Sequence, residues 1–227
     1  ESCRSALRVK WRLMIDLTRL LCNRATPGDA LRYGVRPLAT PDGSPPEPGA
    51  DQRGLSPAGR RPVVVWNCTR RCNLNCVHCY SGGNSGEAAD ELDGTEARRL
   101  IDDLAGFGVP VILFSGGEPL LRPDVLDLAR YARDRGIRPV LSTNGTLINE
   151  DLARRIKAAG VAYVGISLDG LQEVNDRFRG LSGAFAAALE GLRNVRDAGQ
   201  RVGLRLTLTR HTVGDLEGVL DLAERER

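Results

Sequence analysis

The sequence predicts an α/β domain in which parallel β-strands alternate with α-helices. Short apolar runs recur along residues 61–227, and segments with helical spacing separate them. Glycines follow several of the helical segments, as is typical of helix ends. Strands that alternate with helices favour a parallel sheet with right-handed crossovers, and in barrels of this kind the chemistry lies at the carboxyl ends of the strands.

Five strands and five helices are predicted. The first strand is 63–66, whose four consecutive apolar residues are typical of a strand that is buried on both faces. The other strands are predicted at 109–114, 137–142, 162–168 and 202–208. The helices are predicted at 95–107 with Thr95 as the N-cap, 123–135 closed by Gly136, 149–159 closed by Gly160, 183–198 ended by Gly199, and 215–227. A sixth strand is expected beyond Arg227, so the barrel is interpreted as truncated before its last strand.

The residues before 61 are predicted to lie outside this fold. Residues 40–59 are rich in Pro, Gly and Ser, a composition that cannot bury a core and favours a flexible linker. Met14 is the only methionine, so residues 1–13 are interpreted as upstream residues. The expected organisation is an N-terminal extension and linker over 14–60 and a core domain over 61–227.

Composition argues against nucleic-acid and membrane partners. The net charge is only +3, with 32 basic and 29 acidic residues interleaved along the chain. The longest apolar runs, such as 109–114, are far shorter than the roughly 20 residues of a membrane span. The first residues lack the apolar segment of a secretory signal. We therefore expect a cytoplasmic protein.

Three cysteines follow the first strand in the spacing Cys72-x-x-x-Cys76-x-x-Cys79. Three thiolates in one loop can ligate three irons of a cubane cluster and leave the fourth iron open to a small molecule. A zinc site of the same thiolates with His78 or Cys68 stays open on spacing alone. Cys22 and Cys68 are either further ligands or buried structural thiols.

Polar residues also follow the later strands. Residues 115–119 read Ser-Gly-Gly-Glu-Pro, where the glycines allow close backbone approach and Glu118 supplies an acceptor. Residues 142–145 read Ser-Thr-Asn-Gly and residues 167–170 read Ser-Leu-Asp-Gly. Their hydroxyls and amides can bind a ligand, although Asn-Gly and Asp-Gly also form ordinary turns. We expect all these residues to meet the cysteines on one rim.

With these motifs the chain resembles the radical S-adenosylmethionine (SAM) superfamily. The cysteine spacing is its signature, and residues 61–227 resemble its partial (β/α)6 barrel, a TIM-like fold. The resemblance implies that the Gly116-Gly117-Glu118 motif binds the ammonium of SAM and that His78 stands where an aromatic residue often contacts adenine. It assigns further SAM contacts to Ser142, Asn144, Ser167 and Arg179. Ser142, Asn144 and Ser167 are expected to form hydrogen bonds to SAM. Arg179 is expected to form an ion pair with the SAM carboxylate, and a salt-bridged surface arginine is the alternative.

The resemblance also implies the chemistry. Cys72, Cys76 and Cys79 would hold a 4Fe–4S cluster, at which SAM is cleaved reductively to a 5′-deoxyadenosyl radical that takes a hydrogen atom from the substrate. An electron donor such as ferredoxin or flavodoxin is implied.

Longer stretches resemble the haem-biosynthesis branch, at 14–34, 60–67, 69–71, 140–146 and 203–211. The closest resemblance is to the 12,18-didecarboxysiroheme deacetylases of the siroheme-dependent haem pathway, which remove acetate side chains from an iron tetrapyrrole to give Fe-coproporphyrin III. Relatives bind an auxiliary Fe–S cluster through a C-terminal extension, so a second cluster is expected outside this sequence. Radical SAM enzymes of haem d1 synthesis and peptide-modifying maturases are the alternatives, and a non-catalytic Fe–S or zinc module is the alternative of another class.

Three residues near the fifth strand complete the predicted site. Arg205 and Thr207 alternate with apolar residues, so they are expected to point into the barrel. His211 lies just past the strand and is the candidate catalytic residue, with an ordinary loop histidine as the alternative.

Overall fold

The computed structural model describes residues 61–79 and 91–226, which belong to one compact unit, Arg61–Arg227. The predictions for Met14, for the linker at 40–59 and for Cys22 lie outside the described residues.

The described residues form a parallel sheet of five strands in the order β1-β2-β3-β4-β5. The strands are β1 (Val64–Thr69), β2 (Val111–Gly116), β3 (Arg138–Thr143), β4 (Tyr163–Ser167) and β5 (Val202–Arg205). Each strand pairs with the next one along the chain. This topology confirms the predicted α/β fold with a partial TIM-like barrel. Between Asn67 and Thr69 the register of β1 against β2 shifts, which places an irregularity directly before the cysteines.

Residues 61–79 and 91–226 contain six α-helices, one more than the sequence predicts. They are α1 (Gly94–Phe107), α2 (Val125–Asp134), α3 (Glu150–Ala158), α4 (Gln172–Arg179), α5 (Ala184–Asp197) and α6 (Leu216–Arg225). Two 3-10 turns cover Pro119–Leu121 and Val213–Asp215. The unpredicted helix is α4, which follows β4. Within the part of the chain that the structure describes, every helix is too short or too polar to cross a bilayer.

The start of α1 differs from the prediction. Asp93, not Thr95, is the N-cap, because its carboxylate accepts hydrogen bonds from the backbone N–H groups of Thr95 and Glu96 at 2.7 and 2.8 Å. The Glu96 side chain accepts the Asp93 N–H in return, which completes a capping box. A carboxylate reaches these N–H groups and favours the positive end of the helix dipole, so it outcompetes the nearby threonine hydroxyl.

The two faces of the sheet differ. Alternate side chains join the helices in the hydrophobic core, among them Ile112, Phe114, Leu141, Val164 and Ile166. The residues between them, such as Val65, Leu113 and Ser142, line a cavity on the other face. Val65 is 57% exposed, so the prediction that the first strand is buried on both faces is wrong.

Candidate cofactor-binding site

A cavity of about 560 Å³ lies where the carboxyl ends of the strands meet. It gathers most of the predicted site residues, namely Cys72, Cys76, Cys79, Gly116, Gly117, Ser142, Asn144, Ser167 and Arg179. Arg205 and Thr207 also line it, as predicted. Glu118 and His211 do not belong to its lining.

Cys72, Cys76 and Cys79 form no disulfide, and all three line the cavity. Cys72 and Cys76 are half-buried, and Cys79 is exposed. The backbone N–H of Leu74 donates to Cys72 Sγ at 3.4 Å. Burial raises the pKa of the Cys72 thiol, while that N–H group opposes the rise. Such a thiol is neutral until a metal displaces its proton.

Cys68 is not part of this set. Its thiol is buried and donates to the carbonyl oxygen of Ser115 at 3.3 Å. Burial raises its pKa to about 12, so it behaves as an inert structural thiol. Among residues 61–79 and 91–226, no three His, Cys, Asp or Glu side chains converge closely enough to hold one metal ion. A four-iron cluster binds each thiolate at a different iron, so its ligands need not converge on one point.

The cysteine loop, residues 72–79, docks on the end of α4. The N–H groups of Asn75 and Val77 donate to the carbonyl oxygens of Arg179 and Phe178 at 3.3 and 3.0 Å. The ring of His78 stacks on that of Phe178, with centroids 4.3 Å apart and planes 16° from parallel. The last carbonyls of a helix have no partner within it, so α4 offers acceptors that the loop uses.

The loop is also tied to the end of β3. Asn144 Nδ2 donates to Asn73 Oδ1 at 2.8 Å. The Asn144 side-chain oxygen accepts from the backbone N–H and the hydroxyl of Thr146 at 2.9 and 2.7 Å. Asn144 therefore lines the cavity, but its amide nitrogen already bonds to the cysteine loop and its amide oxygen to Thr146 in the turn after β3.

The Gly116-Gly117 turn packs backbone on backbone against the residues that lead into the cysteine loop. The N–H groups of Gly117 and Glu118 donate to the carbonyl oxygens of Thr69 and Arg71 at 2.8 and 2.7 Å. Gly116 has φ +136°, and a Cβ on it would collide with the Thr69 carbonyl oxygen. A Cβ on Gly117 would collide with the Arg71 carbonyl oxygen. Only glycine fits such a close approach.

Glu118 differs from its predicted role as an acceptor for the SAM ammonium. It is 0% exposed, and its carboxylate accepts hydrogen bonds from the Thr143 hydroxyl at 2.8 Å and from the N–H groups of Asn144 and Leu120 at 2.8 and 3.1 Å. The side chain thus joins the ends of β2 and β3 beneath the cavity. Burial raises its pKa to about 7, although the three donors oppose that rise.

Three hydroxyl-bearing residues line the cavity at the strand ends, namely Ser142, Ser167 and Thr207. Arg205 crosses the cavity wall and donates from Nη1 to Ser142 Oγ at 2.9 Å. Its path runs over Gly165, where a Cβ would meet Arg205 Cδ at 2.9 Å. The missing side chain at Gly165 therefore lets Arg205 lie in the barrel.

Arg179 is buried, so the alternative of a surface arginine is wrong. It is 8% exposed, and its Nη2 lies 2.5 Å from Oδ2 of the fully buried Asp169. Its Nη1 donates to Cys76 Sγ at 3.7 Å. Asp169 Oδ2 also lies 3.6 Å from His78 Nε2. Burial lowers the pKa of His78, with Asp169 opposing and Arg179 adding to that shift.

His211 lies away from this site. It is exposed, and its Nε2 accepts a hydrogen bond from Arg210 Nε at 3.1 Å. Its backbone N–H donates to the Thr209 hydroxyl at 3.1 Å. The position just past β5 was the reason to expect it on the rim, but the turn that follows the strand carries it outside the cavity lining. The reading as an ordinary loop histidine fits this placement.

Three residues of the site were given no role from sequence. Asp169 forms an ion pair with Arg179. Phe178 stacks on His78. Asn73 ties the cysteine loop to the end of β3. Asp169 carried a signal, since it directly follows a buried strand. Phe178 and Asn73 carried none that distinguishes them from ordinary helix and loop residues.

The donor set fits a 4Fe–4S cluster with SAM. Three cysteines that form no disulfide line a cavity that is also lined by two glycines packed without room for a side chain. His78 Nδ1 and Arg179 Nε are buried there and make no hydrogen bond within the described residues. Such atoms are normally satisfied by a ligand or by ordered water.

A family comparison agrees with this geometry. Residues 66–223 match the radical SAM superfamily. The chain therefore belongs to that superfamily, and membership implies a 4Fe–4S cluster and SAM as cofactors.

Several curated relatives are named as enzymes of haem synthesis. The chain is 49% identical to Fe-coproporphyrin III synthase of Methanosarcina barkeri over 214 residues. The matched region is 94% of this chain and 51% of the relative. It is 45% identical to pre-heme d1 synthase of Dinoroseobacter shibae over 73% of this chain and 41% of the relative. An AdoMet-dependent heme synthase of M. barkeri is 40% identical over 71% of this chain and 47% of the relative. The chain thus spans about half the length of these relatives.

Solved structures share the fold. The chain matches anSMEcpe with bound AdoMet at a TM-score of 0.62 and 21% identity, over 72% of this chain and 48% of the other. SuiB of Streptococcus suis bound to S-adenosylmethionine also matches at a TM-score of 0.62, with 18% identity. That match covers 72% of this chain and 38% of SuiB. These likenesses confirm the barrel fold.

Proposed function

We propose that this chain carries the cluster- and SAM-binding core of a radical SAM enzyme of haem biosynthesis. The observation that carries the proposal is that three cysteine thiols, a Gly-Gly turn and the ends of the strands line one cavity. The substrate is proposed from the relatives, because the superfamily fold serves many substrates.

The described residues divide the work of binding. Cys72, Cys76 and Cys79 would hold the cluster, and the backbone of Gly116 and Gly117, which lines the cavity at the end of β2, would contact SAM. When bound, the cluster and SAM together supply the radical that takes a hydrogen atom from the substrate. Ser142 and Ser167 would orient SAM by hydrogen bonds, whereas Glu118 holds the turn and the end of β3 in place.

The proposed reaction removes acetate side chains from 12,18-didecarboxysiroheme to give Fe-coproporphyrin III. Support comes from the relative named Fe-coproporphyrin III synthase, which matches 94% of this chain. A haem d1 role is the second candidate, since pre-heme d1 synthase is 45% identical over 73% of the chain. A peptide-modifying role is the third, since the mycofactocin maturase of Mycobacterium ulcerans is 39% identical over 71%. A non-catalytic module is less favoured, because such a module needs neither the glycine turn nor the cavity.

The remaining partners are proposed from the same chemistry. A one-electron donor such as ferredoxin or flavodoxin would supply the reducing equivalent, and an auxiliary Fe–S cluster would be bound outside this sequence. Thiols that hold a cluster must stay reduced, which favours the cytoplasm.

Cysteine variants test the cluster assignment. In the complete protein, reconstituted anaerobically, Cys72→Ala, Cys76→Ala and Cys79→Ala should each lose the iron bound at this site and all 5′-deoxyadenosine formation. Cys68→Ser is the matched control, because this buried thiol bonds to Ser115 and lies off the cavity. Iron content and the SAM cleavage product are measured together. Retained cleavage in Cys76→Ala would exclude the assignment.

An activity assay tests the substrate. The complete protein is supplied with SAM, dithionite and 12,18-didecarboxysiroheme, and 5′-deoxyadenosine and the tetrapyrrole mass are measured. Loss of two acetate groups is the expected result. Cleavage of SAM with an unchanged tetrapyrrole would redirect the proposal to the haem d1 or peptide substrates.

A further inference from the structure

An ion pair lies beneath the cysteine loop. Arg179 and Asp169 are both buried, and Arg179 Nη2 lies 2.5 Å from Asp169 Oδ2. The second carboxylate oxygen of Asp169 accepts the backbone N–H of Thr207 at 2.8 Å, which fixes the orientation of the carboxylate. Buried charges are costly unless they are paired, so this pair is expected to keep its geometry.

The guanidinium also reaches the cysteine loop. Arg179 Nη1 donates to Cys76 Sγ at 3.7 Å. An arginine stays charged at every pH at which proteins fold, so the donor to this sulfur always carries a positive charge.

Backbone contacts set the distance between these two side chains. The Asn75 N–H donates to the Arg179 carbonyl oxygen, and the Val77 N–H donates to the Phe178 carbonyl oxygen, one on each side of Cys76. Gly180 ends α4 with φ +68°, and a Cβ on it would collide with the Asn75 carbonyl oxygen. The backbone of the loop is therefore joined to the end of α4 on both sides of Cys76, which keeps the Cys76 thiol within reach of the Arg179 side chain.

Hydrogen bonds to the ligand sulfurs and nearby charge are among the factors that set the reduction potential of an Fe–S cluster. Reduction adds one negative charge to the cluster. A cationic donor on a thiolate favours that added charge, whereas a buried carboxylate nearby opposes it, and the low dielectric of the interior strengthens both effects.

We propose that Arg179 is a positioning residue that raises the reduction potential of the cluster through the Cys76 thiolate, and that Asp169 limits this rise. The proposal rests on the proposed cluster at Cys72, Cys76 and Cys79. It gives Arg179 a role that does not depend on SAM.

The test is a redox titration of the complete, anaerobically reconstituted protein without SAM, followed by electron paramagnetic resonance of the reduced cluster. Arg179→Gln should lower the ratio of reduced to oxidised cluster at a fixed potential about tenfold, which corresponds to about 59 mV for a one-electron couple. Asp169→Asn should shift the ratio in the opposite direction. Arg177→Gln is the matched control on the same helix, because Arg177 is exposed, and it should leave the ratio within about twofold.

Changes of opposite sign in the ratio of reduced to oxidised cluster support the proposal. If Arg179 and Asp169 had a purely structural role, the two variants would change this ratio in the same direction. Unchanged ratios in both variants, or shifts of the same sign, overturn it. An unchanged ratio of reduced to oxidised cluster in Arg179→Gln, together with a SAM affinity about tenfold weaker, also overturns the proposal, because that result makes Arg179 a SAM ligand. If Arg179→Gln loses iron, Arg179→Lys keeps the charge and gives the same test, with a smaller decrease expected. A wild-type protein with no reducible cluster would refute the proposed function instead.

Discussion

At the scale of single residues, Glu118 shows how a motif residue can act from outside the cavity. Its carboxylate bonds to Thr143, to the backbone of Asn144 and to the 3-10 turn at Leu120. One buried side chain therefore fixes the ends of two neighbouring strands. The motif was visible in the sequence, but the direction of the side chain depends on burial, which is a property of the folded molecule.

We expect Glu118→Gln to destabilise the protein by about 1–3 kcal/mol at pH 5.5. The new amide can still accept from Thr143 and Leu120 at one oxygen, but its NH2 group faces the Asn144 N–H, and two donors cannot bond. The free energy of unfolding, measured by urea denaturation with circular dichroism, checks this. Glu150→Gln is the control, because the Glu150 side chain is 81% exposed and its change should stay within about 0.5 kcal/mol. Equal effects of the two changes would contradict the bracing role.

The site residues differ in how far the sequence determined them. The thiols and the glycines were predictable because their chemistry needs those residue types in that spacing. Arg179 was identified as a site residue, but its partners were not, since Asp169 and Cys76 reach it from two other segments of the chain. His211 was misplaced because a position close to a strand end does not fix where the following turn leads.

At the scale of elements, the Gly-Gly turn decides whether the cysteine loop can form. Gly117→Ala should reduce the iron bound at this site and destabilise the protein by about 1–3 kcal/mol, because its Cβ would meet the backbone of Arg70 and Arg71. Iron content and the free energy of unfolding are measured together.

Gly106→Ala is the matched control for this variant. Gly106 lies in α1, and a Cβ there has nothing within 4 Å. Neither glycine has a positive φ, so the two substitutions differ mainly in the space around the new methyl group. The control should bind iron normally and gain up to about 1 kcal/mol of stability from helix propensity. Equal iron loss in both variants would contradict the steric argument.

Helix α4 could not be predicted from its pattern of apolar residues. Its eight residues contain two apolar positions, Val174 and Phe178, which are too few to establish a helical period. No side chain caps its N-terminus, so the usual start signal is also missing. Its contacts with the cysteine loop and with α5 stabilise it instead. Such an element is fixed by tertiary structure, which a local sequence window does not contain.

At the scale of the whole molecule, the alternation of strands and helices was sufficient to predict a parallel sheet, and the family resemblance predicted the partial barrel. Consecutive parallel strands joined by helices have few allowed arrangements, and the structure has the simplest of them. The burial of β1 was not predictable from its apolar run. Val65 faces the cavity, and an apolar cavity wall and a buried core look alike in sequence.

The stability of the whole molecule should carry a pH dependence that comes from Glu118. Burial raises its folded-state pKa to about 7 from an ordinary value of 4.5. Between these two values the folded protein holds a proton that the unfolded chain has released, so stability falls as the pH rises and levels off above about 7. The shift corresponds to about 3 kcal/mol.

Glu118→Gln removes this titration, so the difference between the two proteins isolates it. The stability advantage of the wild type should shrink by about 3 kcal/mol between pH 4.5 and 8, as measured by urea denaturation at several pH values in that range. Other carboxylates titrate in both proteins and cancel in the difference. An advantage that grows with pH would mean that the donors from Thr143, Asn144 and Leu120 outweigh burial and keep the carboxylate ionised throughout.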